Sequence, residues 1–137
     1  MPVTSDEAIR RILTTAETLA VVGCSGAPGK PAHDVPRYML DHGYEVLPVN
    51  PNREEALGRP AVDSLSAIDL GIDLVNVFRP SEEVAGIVEE TRSRRDEPGI
   101  WTQRGIQDRE ATDRAEEAGL TVVEDRCLKV EHDRLVG

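Results

Sequence analysis

The residues of this chain best suited to hold a ligand form one run, Leu19-Ala20-Val21-Val22-Gly23-Cys24-Ser25-Gly26-Ala27-Pro28-Gly29-Lys30. Its first four residues are apolar and suit a buried, pleated strand. Gly23, Gly26 and Gly29 then follow in quick succession, and glycine lets backbone N–H groups approach an anion where a Cβ would collide. A helix opening near His33 or Asp34 would turn the partial positive charge of its N-terminus on the same loop. Strand, glycine loop and helix together make a seat for a pyrophosphate. The same letters also fit a tight strand-to-helix turn with nothing bound, because a glycine loop alone is a weak motif.

The elements around this run alternate. Thr4 and Glu7 have the spacing of a capping box and open an amphipathic helix with Ala8, Ile12 and Leu13 on its inner side. After the first strand, a helix carrying Val35, Tyr38, Met39 and Leu40 ends at His42-Gly43, and Pro36 is expected in its first turn. Tyr44 to Val49 reads as the second strand, with Pro48 marking an edge or a bulge. A short strand or turn near Pro60-Ala61-Val62 leads to a helical turn over residues 65–68. Asp73 to Phe78 is another apolar strand, and Ser81 is expected to cap the helix bearing Val84, Ile87 and Val88. Gly99 to Trp101 is a short strand, Asp108 caps a helix ending at Ala118-Gly119, and Leu120 to Val123 is the last strand. The polar tail from Asp125 is expected to pack across the sheet edge. This alternation predicts a single α/β domain over residues 1–137, a mainly parallel sheet with helices on both faces.

In such a sheet, ligands sit beyond the carboxyl ends of the strands, where the strand order reverses. Just past the strands lie Gly23-Cys24-Ser25, Asn50-Pro51-Asn52-Arg53, Phe78-Arg79-Pro80, Gln103-Arg104-Gly105 and Asp125-Arg126-Cys127. These clusters are polar, glycine-bearing and cationic, and they would face one crevice. The loop departs from Gly-x-Gly-x-x-Gly, and the second strand ends at Asn50-Pro51 without the acidic residue that holds a nicotinamide dinucleotide's ribose. Gly29-Lys30 is followed by Pro31, so the run is not a P-loop either.

The chain has 137 residues and 39% hydrophobic content, enough for one core. Its 26 acidic residues outweigh 16 basic ones, a net charge of −10. That balance opposes nucleic acid, whose affinity comes largely from neutralised phosphates, while leaving room for a small phosphorylated ligand beside a local cationic cluster. Lys30 and Lys129 are the only lysines, and acidity with few lysines suggests a surface adapted to high salt. No apolar run approaches a membrane span, and the first residues do not read as a signal peptide, so a cytoplasmic protein is expected, with no membrane partner. Cys24 and Cys127 have no metal-ligand spacing and form no disulfide framework.

Several phrases carry a resemblance: Val-Val-Gly-Cys-Ser (21–25), Pro-Val-Asn-Pro (48–51), Val-Phe-Arg-Pro-Ser-Glu (77–82), Trp-Thr-Gln-Arg-Gly (101–105) and Asp-Arg-Cys-Leu-Lys-Val-Glu-His (125–132). In order and spacing the chain resembles the small stand-alone CoA-binding proteins, which are similar to the N-terminal CoA-binding domain of succinyl-CoA synthetase alpha subunits and of NDP-forming acyl-CoA synthetases. The resemblance implies a Rossmann-like domain with coenzyme A or an acyl-CoA as ligand. Gly23, Cys24, Ser25 and Gly26 would then wrap phosphates, with Lys30 nearby, and Asn50 and Pro51 would shape the adenosine pocket. Arg53 would meet the ribose 3′-phosphate. Val77, Phe78, Arg79 and Pro80 would line the adenine and pantetheine side, with Gln103 and Gly105 in a matching loop farther along the sheet. Ala32-His33 and Val62 depart from the family pattern, which bears on Lys30 and on local packing respectively.

No Ser/His/Asp set, paired carboxylates or metal cluster stands out in the sequence, so no catalytic residue is assigned. The expectation is a binding or regulatory module, with a protein partner left open. The alternative is a small NAD(P)-binding oxidoreductase or nucleotide-sensing subunit.

Overall fold

A computed structural model describes residues 2–137. In chain order the strands are β1 (Thr18–Val22), β2 (Glu45–Val49), the two-residue β3 (Glu55–Ala56) and β4 (Arg59–Pro60), β5 (Leu74–Val77), β6 (Gly99–Thr102) and β7 (Val122–Val123). The helices are α1 (Asp6–Thr15), α2 (Pro31–Asp41), α3 (Val84–Arg92), α4 (Arg109–Glu117) and α5 (Leu128–Leu135). The main sheet has the order β2-β1-β5-β6-β7, and every pairing in it is parallel. β3 and β4 form a small antiparallel hairpin beside it.

The strand residues are apolar on both sides because helices cover both faces. Leu19, Val21, Leu74, Trp101 and Val123 pack with Ile9 and Leu13 of α1, Val35 and Met39 of α2, and Leu128 of α5. Ala20, Val22, Val75, Val77, Ile100 and Val122 pack with Val84 and Val88 of α3, Ala111 and Ala115 of α4, and Leu65 of a short 3-10 turn. Burying a side chain such as Leu13 contributes about 1.5–3 kcal/mol.

Several expectations give way to tertiary constraints. Ser5, not Thr4, caps α1: its hydroxyl accepts the Ala8 N–H at 3.2 Å. The Val3 N–H is held by Val122 O of β7 at 2.8 Å, which fixes where the chain enters the helix. Consequently Ile9 and Leu13 form the buried pair, while Ala8 and Ile12 are half-buried. α2 begins at Pro31, so Pro36 lies inside the helix rather than in its first turn. Ser81 opens a 3-10 turn and does not cap α3; its hydroxyl accepts the Gln107 N–H at 3.0 Å. The tail is not draped over the sheet edge but forms α5, packed against α1 and α2. Pro48 does lie on the edge strand, and its carbonyl turns outward to accept the Val62 N–H at 3.1 Å. Asp108 caps α4 as expected, accepting from the Ala111 N–H at 3.1 Å. No helix among the described residues is long and apolar enough to cross a membrane.

α5 is clasped to the fold by an aromatic and histidine cluster. The Tyr38 hydroxyl lies 2.9 Å from His132 Nδ1. The His42 ring stacks on Tyr38 at 3.9 Å between centroids and meets His132 edge-on at 5.3 Å. Tyr44 meets His132 edge-on at 5.7 Å, and Lys129 lies 5.6 Å over the Tyr38 ring. Burial and then the neighbouring His42 lower the His132 pKa, with Asp133 opposing. The folded protein therefore favours the neutral ring. Its stabilising effect is complete above the unfolded value of about 6.5 and is lost as pH falls through the lower folded value. We expect the melting temperature to fall between about pH 7.5 and pH 5, and His132→Gln to flatten that fall. Parallel wild-type and variant profiles in thermal melts would show that another group titrates.

Candidate nucleotide-binding crevice

The chain leaves β1 through Gly23, whose φ of +89° only glycine adopts freely. The Gly23 N–H donates to Val49 O of β2 at 2.8 Å. Cys24 then turns inward and is wholly buried, and its carbonyl accepts from Asn50 Nδ2 at 3.0 Å. The Ser25 N–H donates to Ala32 O at 2.9 Å. That carbonyl is available because the residue four positions on, Pro36, has no N–H to offer it. A proline inside the helix thus ties the glycine loop to its own succeeding helix. Ser25 Oγ accepts the Ala27 N–H at 3.0 Å, and Asp34 Oδ1 accepts the Gly29 N–H at 3.1 Å.

These bonds use the N–H groups of Gly23, Ser25, Ala27 and Gly29. Those of Cys24 and Gly26 donate to no acceptor among the described residues. The helix start adds less than anticipated, since the His33 and Asp34 N–H groups both turn back to Lys30 O. Lys30 itself is exposed immediately before α2.

The loops after β2 and β5 close on this one. Asn50 uses both ends of its amide, donating to Cys24 O and accepting the Asn52 N–H at 2.9 Å, so it joins two loops. Pro51 is exposed in the same turn. Arg53 donates through Nε to Glu55 O at 3.0 Å and lays its guanidinium over Gly26, where any Cβ would overlap it. The Arg79 stem covers Gly23: a Cβ there would lie 2.9 Å from Arg79 Cδ and 3.3 Å from the Phe78 carbonyl carbon. The Arg79 guanidinium is held by both oxygens of Glu83, at 3.1 and 2.8 Å, and that bond lowers the Glu83 pKa. Phe78 is half-buried and Pro80 exposed.

Other singled-out residues play different parts. Val77 is wholly buried in the core under α3 and does not face the crevice. Gln103 is buried, and its Oε1 accepts the Leu128 N–H at the start of α5. It also lines a cavity of about 370 Å³ whose opposite wall includes Gly29 and Val35. Gly105 lies farther off, its N–H on Asp125 Oδ1 at 2.6 Å. Trp101 is wholly buried and donates to Arg126 O at 2.8 Å. Burial pushes the Cys24 thiol up to about 11, against the opposing charge of Arg53, so it stays protonated at neutral pH.

Two features went without an assigned role, although Arg104 stood among the strand-tip residues expected to face the crevice. Arg104 and Lys129 line the cavity with Gln103. Asn76, in the middle of β5, is wholly buried; its Nδ2 donates to Trp101 O at 3.2 Å while its Oδ1 has no partner. An asparagine between valines in an apolar strand was a visible signal. The importance of the two cations was not, because it depends on which cations lack carboxylates. Among the described residues, Arg10, Arg53, Arg95, Arg104, Lys30 and Lys129 have no carboxylate partner, whereas the remaining arginines are ion-paired. Four of these six unpaired cations stand at the glycine loop or the cavity next to it.

The model of the CoA binding domain family matches residues 17–133, from the residue before β1 into α5. The chain belongs to that CoA-binding domain family. It is 47% identical over 124 residues to the uncharacterized protein YneT of Bacillus subtilis (strain 168), covering 90% of this chain and 91% of that one. It is 30% identical over 122 residues to an ADP-forming acetate–CoA ligase of Archaeoglobus fulgidus, covering 82% of this chain but only 18% of the ligase. Among solved structures, a hypothetical protein from Pyrococcus horikoshii OT3 superposes with a TM-score of 0.93 at 39% identity, over 100% of this chain and 97% of that one. The parallel α/β sheet read from the alternation of elements, and the Rossmann-like domain that the resemblance implied, are therefore the family's fold. Against that background, α1 is the one helix lying wholly outside the matched stretch.

Glycine at 23 and glycine at 26 serve different ends, and substitution separates them. Gly23→Ala forces a left-handed backbone on alanine against the Arg79 stem and the Phe78 backbone, and should cost about 1–2 kcal/mol. Gly26→Ala meets only the mobile end of Arg53, so the fold should persist with the guanidinium displaced. Urea denaturation would show a clear loss for the first and little for the second; equal losses would mean that the Arg53 seat does not yield.

Proposed function

We propose that this protein binds coenzyme A or an acyl-CoA in the crevice at the carboxyl ends of β1, β2 and β5, as a binding or regulatory module. The observation that carries this reading is the placement of unpaired cations. In a chain of net charge −10, carboxylates are in excess, yet Lys30 and Arg53 flank the glycine loop without one. A polyanion is the ligand that relieves both.

Coenzyme A fits the groups present. The N–H groups of Cys24 and Gly26 point to a pyrophosphate seat, with the Ser25 hydroxyl free to donate its own proton. Arg53, over Gly26, is placed to turn its fork on the ribose 3′-phosphate. Asn50 holds the two loops at a fixed separation, and Phe78 offers an apolar edge beside them. When bound, the cofactor would supply a thiol on a flexible arm; the protein's part is to hold its charged end. Support for the CoA reading over a nicotinamide dinucleotide also comes from the residue after β2, an asparagine already engaged at both ends rather than a free carboxylate.

Titration calorimetry with CoA, dephospho-CoA and NAD tests the proposal. CoA should bind and NAD should not. Arg53→Ala should weaken CoA by about tenfold, the lower end for a charge-assisted hydrogen bond at an exposed site, and dephospho-CoA hardly at all. Binding of NAD in preference to CoA would overturn the reading, and equal losses for the two CoA forms would move Arg53 to another role.

A further inference from the structure

The cavity beside the glycine loop holds two more of the unpaired cations, Arg104 and Lys129. Gly29 and Val35 form one wall, and Gln103, Arg104, Cys127 and Lys129 the other. Lys129 leans over the Tyr38 ring, and Asp34, the carboxylate in this lining, already accepts the Gly29 N–H and faces His33 Nδ1 at 2.8 Å. A second cavity of about 450 Å³ adjoins the first, sharing Arg104 and Cys127. Its carboxylates are engaged elsewhere. Glu124 accepts from the Asp108 N–H and Thr112, Asp125 from the Gly105 N–H and Gln107, and Glu131 from Arg126 and Arg134. Arg104 therefore stands where two cavities meet, with no carboxylate within ion-pair distance, although Asp125 in the second cavity keeps its charge because its donors are neutral.

The unpaired cations at this end of the sheet fall into two groups, Lys30 and Arg53 at the loop, and Arg104 and Lys129 along the cavity. On the CoA reading, on which this inference rests, Arg53 takes the 3′-phosphate on the β2 side. The pantetheine arm must then leave the loop in the other direction, past Gly29 and into the cavity. Val35 and Cys127 give that arm a partly apolar wall, and Arg104 and Lys129 await whatever the thiol carries. We propose that the acyl group is one with a terminal carboxylate, read by Arg104 with Lys129 beside it. A neutral acyl chain would leave Arg104 with no ion-pair partner and Lys129 with only the nearby charge of Asp34; a dicarboxylic acyl group supplies a direct one, and arginine's fork matches a carboxylate in geometry.

Calorimetry with CoA, butyryl-CoA and succinyl-CoA at one salt concentration decides this, since the two acyl groups have the same carbon count and differ in a methyl against a carboxylate. Succinyl-CoA should bind about tenfold tighter than butyryl-CoA. In Arg104→Gln that ratio should collapse towards one, and in Lys129→Gln it should shrink. Arg104 is exposed and unpaired, so the melting curve of Arg104→Gln should match the wild type, while Lys129→Gln, which gives up the contact over the Tyr38 ring, should melt slightly lower but still cooperatively. Equal affinities for the two acyl-CoAs would overturn the inference while leaving CoA binding intact. A uniform loss for all three ligands in Arg104→Gln would also overturn it, by assigning that arginine to the phosphates. Failure of CoA itself to bind would instead sink the proposed function.

Discussion

Everything at the ligand end of this molecule follows from β1 being paired in parallel on both sides. Its neighbours β2 and β5 are reached by connections that pass over opposite faces. The chain goes to β2 through α2 on one face, then returns past β1 to β5 by way of the Leu65 turn on the other. Right-handed crossovers leading in opposite directions must part at the carboxyl end of β1, and a crevice opens there without any side chain being designed for it. The glycine loop occupies that parting. Its geometry is then held by main-chain bonds to β2 and α2, including the one carbonyl that Pro36 leaves without a helical partner.

The second organising feature is how charge is distributed. Surface ion pairs contribute little to stability singly, so the many arginine–carboxylate pairs say little about why the fold stands. What they do is consume cations. Among the described residues six of the 16 basic side chains keep no carboxylate, and four of them, Lys30, Arg53, Arg104 and Lys129, lie on the side of the crevice and its adjoining cavity. Arg79, by contrast, resembles them in sequence but is neutralised by Glu83 and contributes mainly the packing of its stem over Gly23.

Local signals were legible where they were self-contained. Asp108 caps its helix because the cap needs only its own neighbours. Gly43 and Gly119 end theirs with φ of +94° and +90° for the same reason. Thr4 with Glu7 matched a capping box in letters, yet Ser5 does the work, because β7 grips Val3 and sets the entry point. Ser81 looked like a cap and instead accepts the Gln107 N–H, tying the loop after β5 to the one after β6. The polar tail concealed a helix: Leu128, His132 and Glu131 are buried only because Gln103, Tyr38 and a pair of arginines stand ready to receive them.

By itself the amino-acid sequence determined the parallel α/β architecture and the glycine loop at the tip of the first strand, since apolar periodicity and glycine placement act over a few residues, while the family was legible through the resemblance of whole phrases spread along the chain. Only the tertiary structure decided which side chains are available. Val77 vanished into the core, Asn50 and Gln103 were taken up as joints between loops, and Arg104 and Lys129 emerged without ion-pair partners. Availability is a property of neighbours brought together from distant parts of the chain. No local pattern encodes which carboxylate will reach which arginine.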